Sequence, residues 1–495
     1  MNKTVYIKQA GTDFFDFFYH LKSEKTNIYW SGHLEKPVKN KLKSWYEEQL
    51  KSEYRRIFEV TSENKRVGYL YIDKKNRKTE ISYAIKESEM GRGVGTFVVK
   101  CAIQYIEDND YNGYEIVAYV AKKNIASIKI LENNFFRPTG LFSRYYFESD
   151  ARDIDMIEYV YKYGQCLIIA EAGVNHNGSL ETARALVDAA SYAGADVVKF
   201  QTWKTELLVS KGVKQAAYQV ENTGLEETQF EMLKKLELSY DDFSELKKYC
   251  DRKKILFMST PDETESADFL LSLQNIFKIG SGELTNIPFL RHIGAYKKNI
   301  ILSTGMATLG EIEKAVFTLV DAGTEIKNIT VLHATTMYPT EMQDVNLNAM
   351  KTIKKALKVD VGYSDHTMGF EVPVAAVAMG AKVIEKHFTL SRDMPGPDHR
   401  ASLEPEELKN MVKAVRNVEV ALGDGLKAPR KCELGNRRIV RKAIVAKKNI
   451  RKGDFFSEEN MTTKRLGKGI SSSLWDEVIG LASSYDIGID EEIRL

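Results

Sequence analysis

Two histidines stand in matched settings, in Gly362-Tyr363-Ser364-Asp365-His366-Thr367 and Ile384-Glu385-Lys386-His387-Phe388-Thr389, each at the end of a short strand-like run. A lone histidine is most often a hydrogen-bonded structural residue. Two that close successive strands can meet at one point, and two imidazoles completed by water or a substrate oxygen suit Mn²⁺, with Mg²⁺ or Co²⁺ as alternatives. Such an ion would polarise a substrate carbonyl. Lys199, Lys278, Ser281 and Ser303 occupy comparable strand ends. A lysine buried at such a place is costly unless it meets an anion, so the set reads as a clamp for phosphate and carboxylate. The competing readings are internal ion pairs with Glu171 and Glu283, or a Schiff-base lysine. Two lysines with serines and a histidine pair fit a phosphorylated enol better.

The elements that must position these residues form a repeating pattern. From Gln165 onward, short apolar strands alternate with amphipathic helices, the mark of a parallel sheet with crossovers. Eight strand candidates end near Glu171, Gln201, Thr260, Ser281, Thr304, Thr335, Asp365 and His387. Eight βα units favour a closed (β/α)₈ TIM barrel over an open doubly wound sheet, and in a barrel all these polar ends converge on one mouth. The fold class is therefore α/β over 165–427. Residues 1–160 read as an α+β module with a mostly antiparallel sheet. Residues 433–495 form a third segment, with strand-like Arg441–Ala446 and Met461–Gly469, too small to hold much core.

At 495 residues, two or three domains are expected. The formal net charge of +2 gives no electrostatic reason for a nucleic-acid or membrane partner. No stretch approaches the roughly 18 continuous apolar residues of a membrane span, and the N-terminus leads into no apolar signal segment. A cytoplasmic enzyme is expected. The four cysteines, Cys101, Cys166, Cys250 and Cys432, are scattered and read as reduced thiols.

The stretches Ile169-Ala170-Glu171-Ala172-Gly173-Val174-Asn175-His176-Asn177-Gly178, Val198-Lys199-Phe200-Gln201-Thr202, Lys278-Ile279-Gly280-Ser281-Gly282-Glu283, Ile301-Leu302-Ser303-Thr304-Gly305-Met306 and Pro395-Gly396-Pro397-Asp398-His399 resemble the family of N-acetylneuraminate and legionaminate synthases. The resemblance runs from Gln165 to Leu495. It implies a barrel followed by a SAF (antifreeze-like) domain, in a domain-swapped homodimer. It also implies that His366 and His387 bind the metal and that Lys199, Thr260, Lys278, Ser281, Ser303 and Ser364 hold phosphoenolpyruvate. Gln201, Tyr338 and Asp398 would face an open-chain N-acetylated amino sugar, with Glu171 and Glu283 as catalytic carboxylates. Arg465 would reach the sugar's N-acyl end from the partner subunit. Thr336 departs from the pattern, since some sialate synthases have Asn there.

In the front segment, Met90-Gly91-Arg92-Gly93-Val94-Gly95-Thr96 sits at a strand-to-helix turn and presents free N–H groups to an anion. Asn124-Ile125-Ala126-Ser127 follows, then Asn134-Phe135-Phe136 and Tyr145-Tyr146. That order resembles the GNAT acetyltransferases. It implies acetyl-CoA bound by Arg92, Gly93, Gly95 and Thr96, with Asn124 and Ser127 beside the pantetheine and Tyr146 as general acid. Met90 stands where the family loop usually has Gln or Arg. The fusion points to a 2,4-diacetamido-2,4,6-trideoxymannose substrate and N,N′-diacetyllegionaminate as product, because a second amino group at C4 needs an acetyltransferase. The alternative is an N-acetylneuraminate synthase using N-acetylmannosamine, its front domain a non-catalytic binding or dimerisation module.

Overall fold

The computed structural model describes residues 5–495 apart from 76–77, 110–114, 135, 163–164, 216–218, 221–223, 225 and 424. Phe135 of the GNAT-like pattern and Tyr163 at the first domain junction lie outside the described residues. Residues 1–422 form one compact unit and 423–495 a second. Among the described residues no helix is long and apolar enough to cross a membrane.

The front module is a seven-stranded sheet: β1 (Val5–Gln9), β2 (Arg55–Ser62), β3 (Lys65–Lys75), β4 (Lys78–Ile85), β5 (Glu115–Ala121), β6 (Arg137–Phe147) and β7 (Arg152–Lys162), in the order β1-β2-β3-β4-β5-β7-β6. All neighbours are antiparallel except β4 and β5, which pair in parallel only over Lys78–Glu80 against Glu115–Val117. Past those residues the two strands have no ladder between them. The Val94–Asp108 helix follows β4 and packs Val94, Val98, Val99 and Ala102 into the sheet's core.

The barrel strands are β8 (Leu167–Gly173), β9 (Val197–Thr202), β10 (Leu256–Pro261), β11 (Ile276–Ile279), β12 (Asn299–Ser303), β13 (Ile329–Ala334), β14 (Asp360–Asp365) and β15 (Val383–His387). Every pairing is parallel, and β15 pairs with β8, so the last strand meets the first. With β10 packed beside β11 at the remaining seam, the eight strands form a nearly closed barrel and not an open doubly wound sheet. β10 and β11 lie side by side, and among the described residues no ladder joins them. The crossover helices start where the sequence caps them: Thr228 with Glu231, Ser239 with Asp242 and Thr308 with Glu311 each form a reciprocal capping box.

Strand alternation sorts the side chains by chemistry. Ile168, Val198, Phe257, Phe277, Leu302 and Ile384 face the helices, whereas Leu167, Ile169, Val197, Met258, Ile301 and Val383 fill the barrel's inside. Two residues further along the same inward faces come Glu171, Lys199, Thr260, Lys278, Ser303 and Glu385. The interior is thus an apolar plug beneath a polar mouth.

The front module rests on the opposite, N-terminal face of the barrel. Arg137 pairs with Asp196 just before β9, and Asp196 also takes Arg416 at 2.6 Å. Asn299, which opens β12, donates to the Asn133 carbonyl. Lys100 donates to the Lys327 carbonyl at 2.9 Å and to Asn328 Oδ1 at 2.7 Å, just before β13.

The second unit carries the antiparallel pair β16 (Lys442–Ala446) and β17 (Met461–Arg465). It has a small core of its own, with Ile444, Ile450, Phe456, Met461, Val478 and Ile487 buried together. Arg465 ends β17 and is exposed.

Candidate active site

The centre of the mouth is a chain of four buried ionisable groups. Lys199 Nζ lies 2.6 Å from Glu171 Oε2 and 3.7 Å from Glu385, and Lys278 Nζ lies 3.2 Å from Glu385. Lys199 also donates to Thr260 Oγ1 at 3.0 Å, Gln201 to Glu171 at 3.0 Å, and Ser364 to Glu385 at 3.0 Å. Lys199 sits closer to Glu171, yet Glu385 keeps the charge. Burial works against it, but Lys199 and Lys278 together hold its carboxyl at about 2. Burial pushes Glu171 up to about 7 against the pull of Lys199, with the charge of Glu385 adding to the rise. Burial likewise lowers Lys278 below the usual lysine range. The mouth therefore holds two lysines beside one firm carboxylate and one carboxyl poised near neutrality.

The two histidines come together as their strands do. Their ring centroids are 5.4 Å apart, and Tyr338 packs against both, at 4.1 Å from His366 and 5.6 Å from His387. Burial lowers the pKa of each, and the nearness of His366 lowers His387 further. Both rings are thus neutral. His366 Nδ1 is bonded to the Thr335 carbonyl at 2.7 Å, so it carries that ring's proton and leaves the Nε2 lone pair free. His387 Nδ1 is buried with no hydrogen-bond partner among the described residues, its nearest carboxylate Asp398 at 3.8 Å. Two neutral imidazoles, one with an orphaned ring nitrogen, fit a divalent cation. Among the described residues no group of three or more His, Cys, Asp or Glu is arranged to hold a metal.

The remaining residues gather around this centre. Ser303 Oγ is buried and has no hydrogen-bond partner among the described residues. Ser281, in the turn after β11, accepts from the Gly305 amide at 2.9 Å. A Cβ on Gly305 would collide with the hydroxyls of Thr336 and Ser281, which places Thr336 beside that turn. Glu283 is bonded to Asn286 at 2.6 Å, and burial raises its pKa. Burial also raises Asp398, to about 6. Two further acids at the mouth are not singled out by the sequence motifs. Glu385 stands two residues before His387 on the same inward face, and that period-two relation is the signal that could have found it. Asp262, just past β10, is pushed up to about 7 by burial and by Glu283. Lys278 pairs with Glu385, not with the Glu283 expected as its internal partner. His333, another strand-end histidine, is bonded to the Val345 carbonyl at 2.8 Å and is structural.

Behind the histidines, on the outward face of the same strands, Lys386 and Asp365 form an ion pair at 2.6 Å with both side chains fully buried. Asp365 also accepts from the Thr367 amide at 3.1 Å, and Lys386 donates to the Thr367 carbonyl. This pair bolts β14 to β15 next to His366 and His387. Lys386→Met, which strands the Asp365 charge, should destabilise the barrel by about 3–5 kcal/mol, read as an earlier midpoint in urea. A double change of Lys386→Met and Asp365→Leu should recover most of that loss; no recovery would show the pair to be irrelevant.

In the front module, Gly91 and Gly93 have φ of +73° and +79°, with open space where a Cβ would project. Gly93 caps the Val94–Asp108 helix without any side-chain cap, so the first-turn amides are free for an anion. At Gly95 a Cβ would strike Ile130. Asn124 caps the Ile125–Glu132 helix by accepting from the Ser127 amide at 3.1 Å. Tyr146 is 61% exposed on β6, the sheet's edge strand, opposite Asp153. It does not line the cavity at the glycine loop. Tyr145 beside it is exposed as well, so the geometry gives Tyr146's expected role as general acid no support.

Fold and site together define a (β/α)₈ enzyme whose mouth gathers two lysines, buried carboxyls and a histidine pair, joined to a small α+β module and a C-terminal β unit. A family model described as the NeuB family matches residues 186–427, an acetyltransferase (GNAT) domain 8–137 and a SAF domain 441–495. The N,N′-diacetyllegionaminic acid synthase of Campylobacter jejuni subsp. jejuni serotype O:2 is 51% identical over 329 residues, covering 66% of this chain and 98% of that protein. The Legionella pneumophila subsp. pneumophila protein of the same name is 46% identical over 325 residues, 65% of this chain and 91% of that protein. A solved putative spore coat polysaccharide biosynthesis protein E from Chromobacterium violaceum aligns with a TM-score of 0.54 at 24% identity, covering 66% of this chain and 98% of that one, and shares the fold. The chain belongs to the NeuB family, with a GNAT domain in front and a SAF domain behind.

Proposed function

We propose that the chain condenses phosphoenolpyruvate with 2,4-diacetamido-2,4,6-trideoxymannose to give N,N′-diacetyllegionaminate and phosphate. The front domain would acetylate, from acetyl-CoA, the C4 amino group of the precursor nucleotide sugar. The observation that carries this reading is the 51% identity over nearly the whole of a legionaminic acid synthase in a chain that also bears a GNAT domain.

The mouth supplies the parts. Lys199 and Lys278, with Thr260, Ser281, Ser303 and Ser364, would hold the phosphate and carboxylate of phosphoenolpyruvate. Its C3 then attacks the C1 aldehyde of the open-chain sugar, and the new C1 oxygen takes a proton. A divalent ion on His366 and His387 would supply polarisation of that aldehyde. Water adds at C2 and gives its proton to Glu171, whose carboxyl near pH 7 is able to accept one. The tetrahedral carbon expels phosphate by C–O cleavage as its new hydroxyl gives its proton to the departing phosphate, leaving the 2-keto acid. The lysines stabilise the charge that builds on the departing group. Gln201, Glu283, Tyr338 and Asp398 would face the sugar. We also propose a homodimer in which each SAF domain brings Arg465 to the partner's sugar site.

The test pairs each sugar with phosphoenolpyruvate and measures phosphate release. The 6-deoxy diacetamido sugar should exceed N-acetylmannosamine in kcat/KM by at least about 10-fold, since the C6 methyl-for-hydroxyl difference alone is worth about 1–3 kcal/mol in an apolar contact and the C4 acetamido group adds to it. Equal or better turnover of N-acetylmannosamine would make the chain an N-acetylneuraminate synthase.

A further inference from the structure

We propose that the acetyl-CoA of the front domain is held by two bodies at once: the loop amides of 91–96 and the barrel's Lys297 and Lys298 grip its nucleotide phosphates from opposite walls of one cavity. The inference rests on the GNAT reading and adds to it a barrel wall.

A cavity of about 510 Å³ lies where the glycine loop meets the N-terminal face of the barrel. Gly91, Gly93, Arg92 and Lys100 line it from the front module, Lys297 and Lys298 from the barrel. Glu325, its one lining carboxylate among the described residues, is already paired with Lys327 at 2.8 Å. Four cations therefore face a space with no free acid among the described residues, at the positive end of a 15-residue helix. Coenzyme A carries a pyrophosphate and a 3′-phosphate, and a single helix N-terminus accommodates one such group. The second cluster of charge needs a second set of donors.

The barrel lysines are suited to that task. Lys297 is exposed and has no carboxylate partner among the described residues, and Lys298 is bonded only to a neutral Asn275 oxygen at 3.1 Å. Burial lowers the pKa of Lys298, and it lowers Lys100 to about 8, so both would gain by meeting an anion. The two walls are fixed to each other by the Asn299–Asn133 and Lys100–Asn328 bonds.

Calorimetric titration of the full-length protein with CoA and with 3′-dephospho-CoA tests this. Lys297→Glu, and separately Lys297→Ala with Lys298→Ala, should weaken CoA binding at least tenfold and flatten its salt dependence, while Lys297→Arg retains it. An unchanged unfolding midpoint shows that the variants fold; Lys297 has no native ion pair to lose. A greater loss for CoA than for dephospho-CoA would place the lysines on the 3′-phosphate, and an equal loss on the pyrophosphate. If the wild type binds CoA and both variants bind it equally well, the barrel wall takes no part and the GNAT reading stands. If the wild type binds no CoA, both fall.

Discussion

Protein stripped with a chelator should lose at least about 10³-fold in condensation rate, because a Lewis-acid contribution is worth several kcal/mol, and Mn²⁺ should restore it. His366→Ala should behave like the stripped protein but resist rescue. The reason is geometric: His366 and His387 are buried, neutral, and 5.4 Å apart between centroids, and His387 Nδ1 has no hydrogen-bond partner among the described residues. Buried polar atoms are as a rule paired, so an orphaned ring nitrogen beside a second histidine points to a ligand that completes it. Direct metal analysis supplies a readout apart from activity, since His366→Ala and His387→Ala should each copurify with far less divalent ion. Full activity of the stripped protein without added metal would overturn the assignment.

Lys278→Met should reduce kcat/KM for phosphoenolpyruvate by about 10²–10³-fold, the range for removing one donor from a charge-stabilising site. Burial already lowers the Lys278 pKa, and Glu385 at 3.2 Å restores part of its preference for the charged form. The loss should appear in both KM for phosphoenolpyruvate and kcat, since the ammonium meets charge in the ground state and more in the transition state. KM for the sugar should move much less. A Lys278→Met variant with unaltered phosphoenolpyruvate kinetics would confine Lys278 to an ion pair with Glu385 and leave the anion clamp to Lys199.

Both experiments address residues that are legible in the sequence, for a physical reason. A barrel strand alternates, and its last inward residue must face the mouth, so a polar residue ending an apolar run locates itself. Glu171, Lys199, Lys278, Ser303, His366 and His387 all follow that rule, and the eight strand ends come from the same pattern. Glu385 obeys it too, but its neighbours Lys386 and His387 hide it.

Partnership among converging side chains is not legible. Lys278 chooses Glu385 over Glu283, and Lys386 turns outward to Asp365, because neighbours across the barrel depend on register and tilt that no single strand encodes. Tyr146 shows a related limit: local order places it after the glycine loop, while the sheet order β5-β7-β6 puts its strand at the edge. The residues by themselves thus determined the barrel, its mouth and the chemistry gathered there. Closure of β15 on β8, the pairing of the buried charges and the seating of the front module against Asp196 and Asn299 were decided only in three dimensions. Each depends on contacts between segments far apart in sequence, whose geometry exists only once the whole chain has packed.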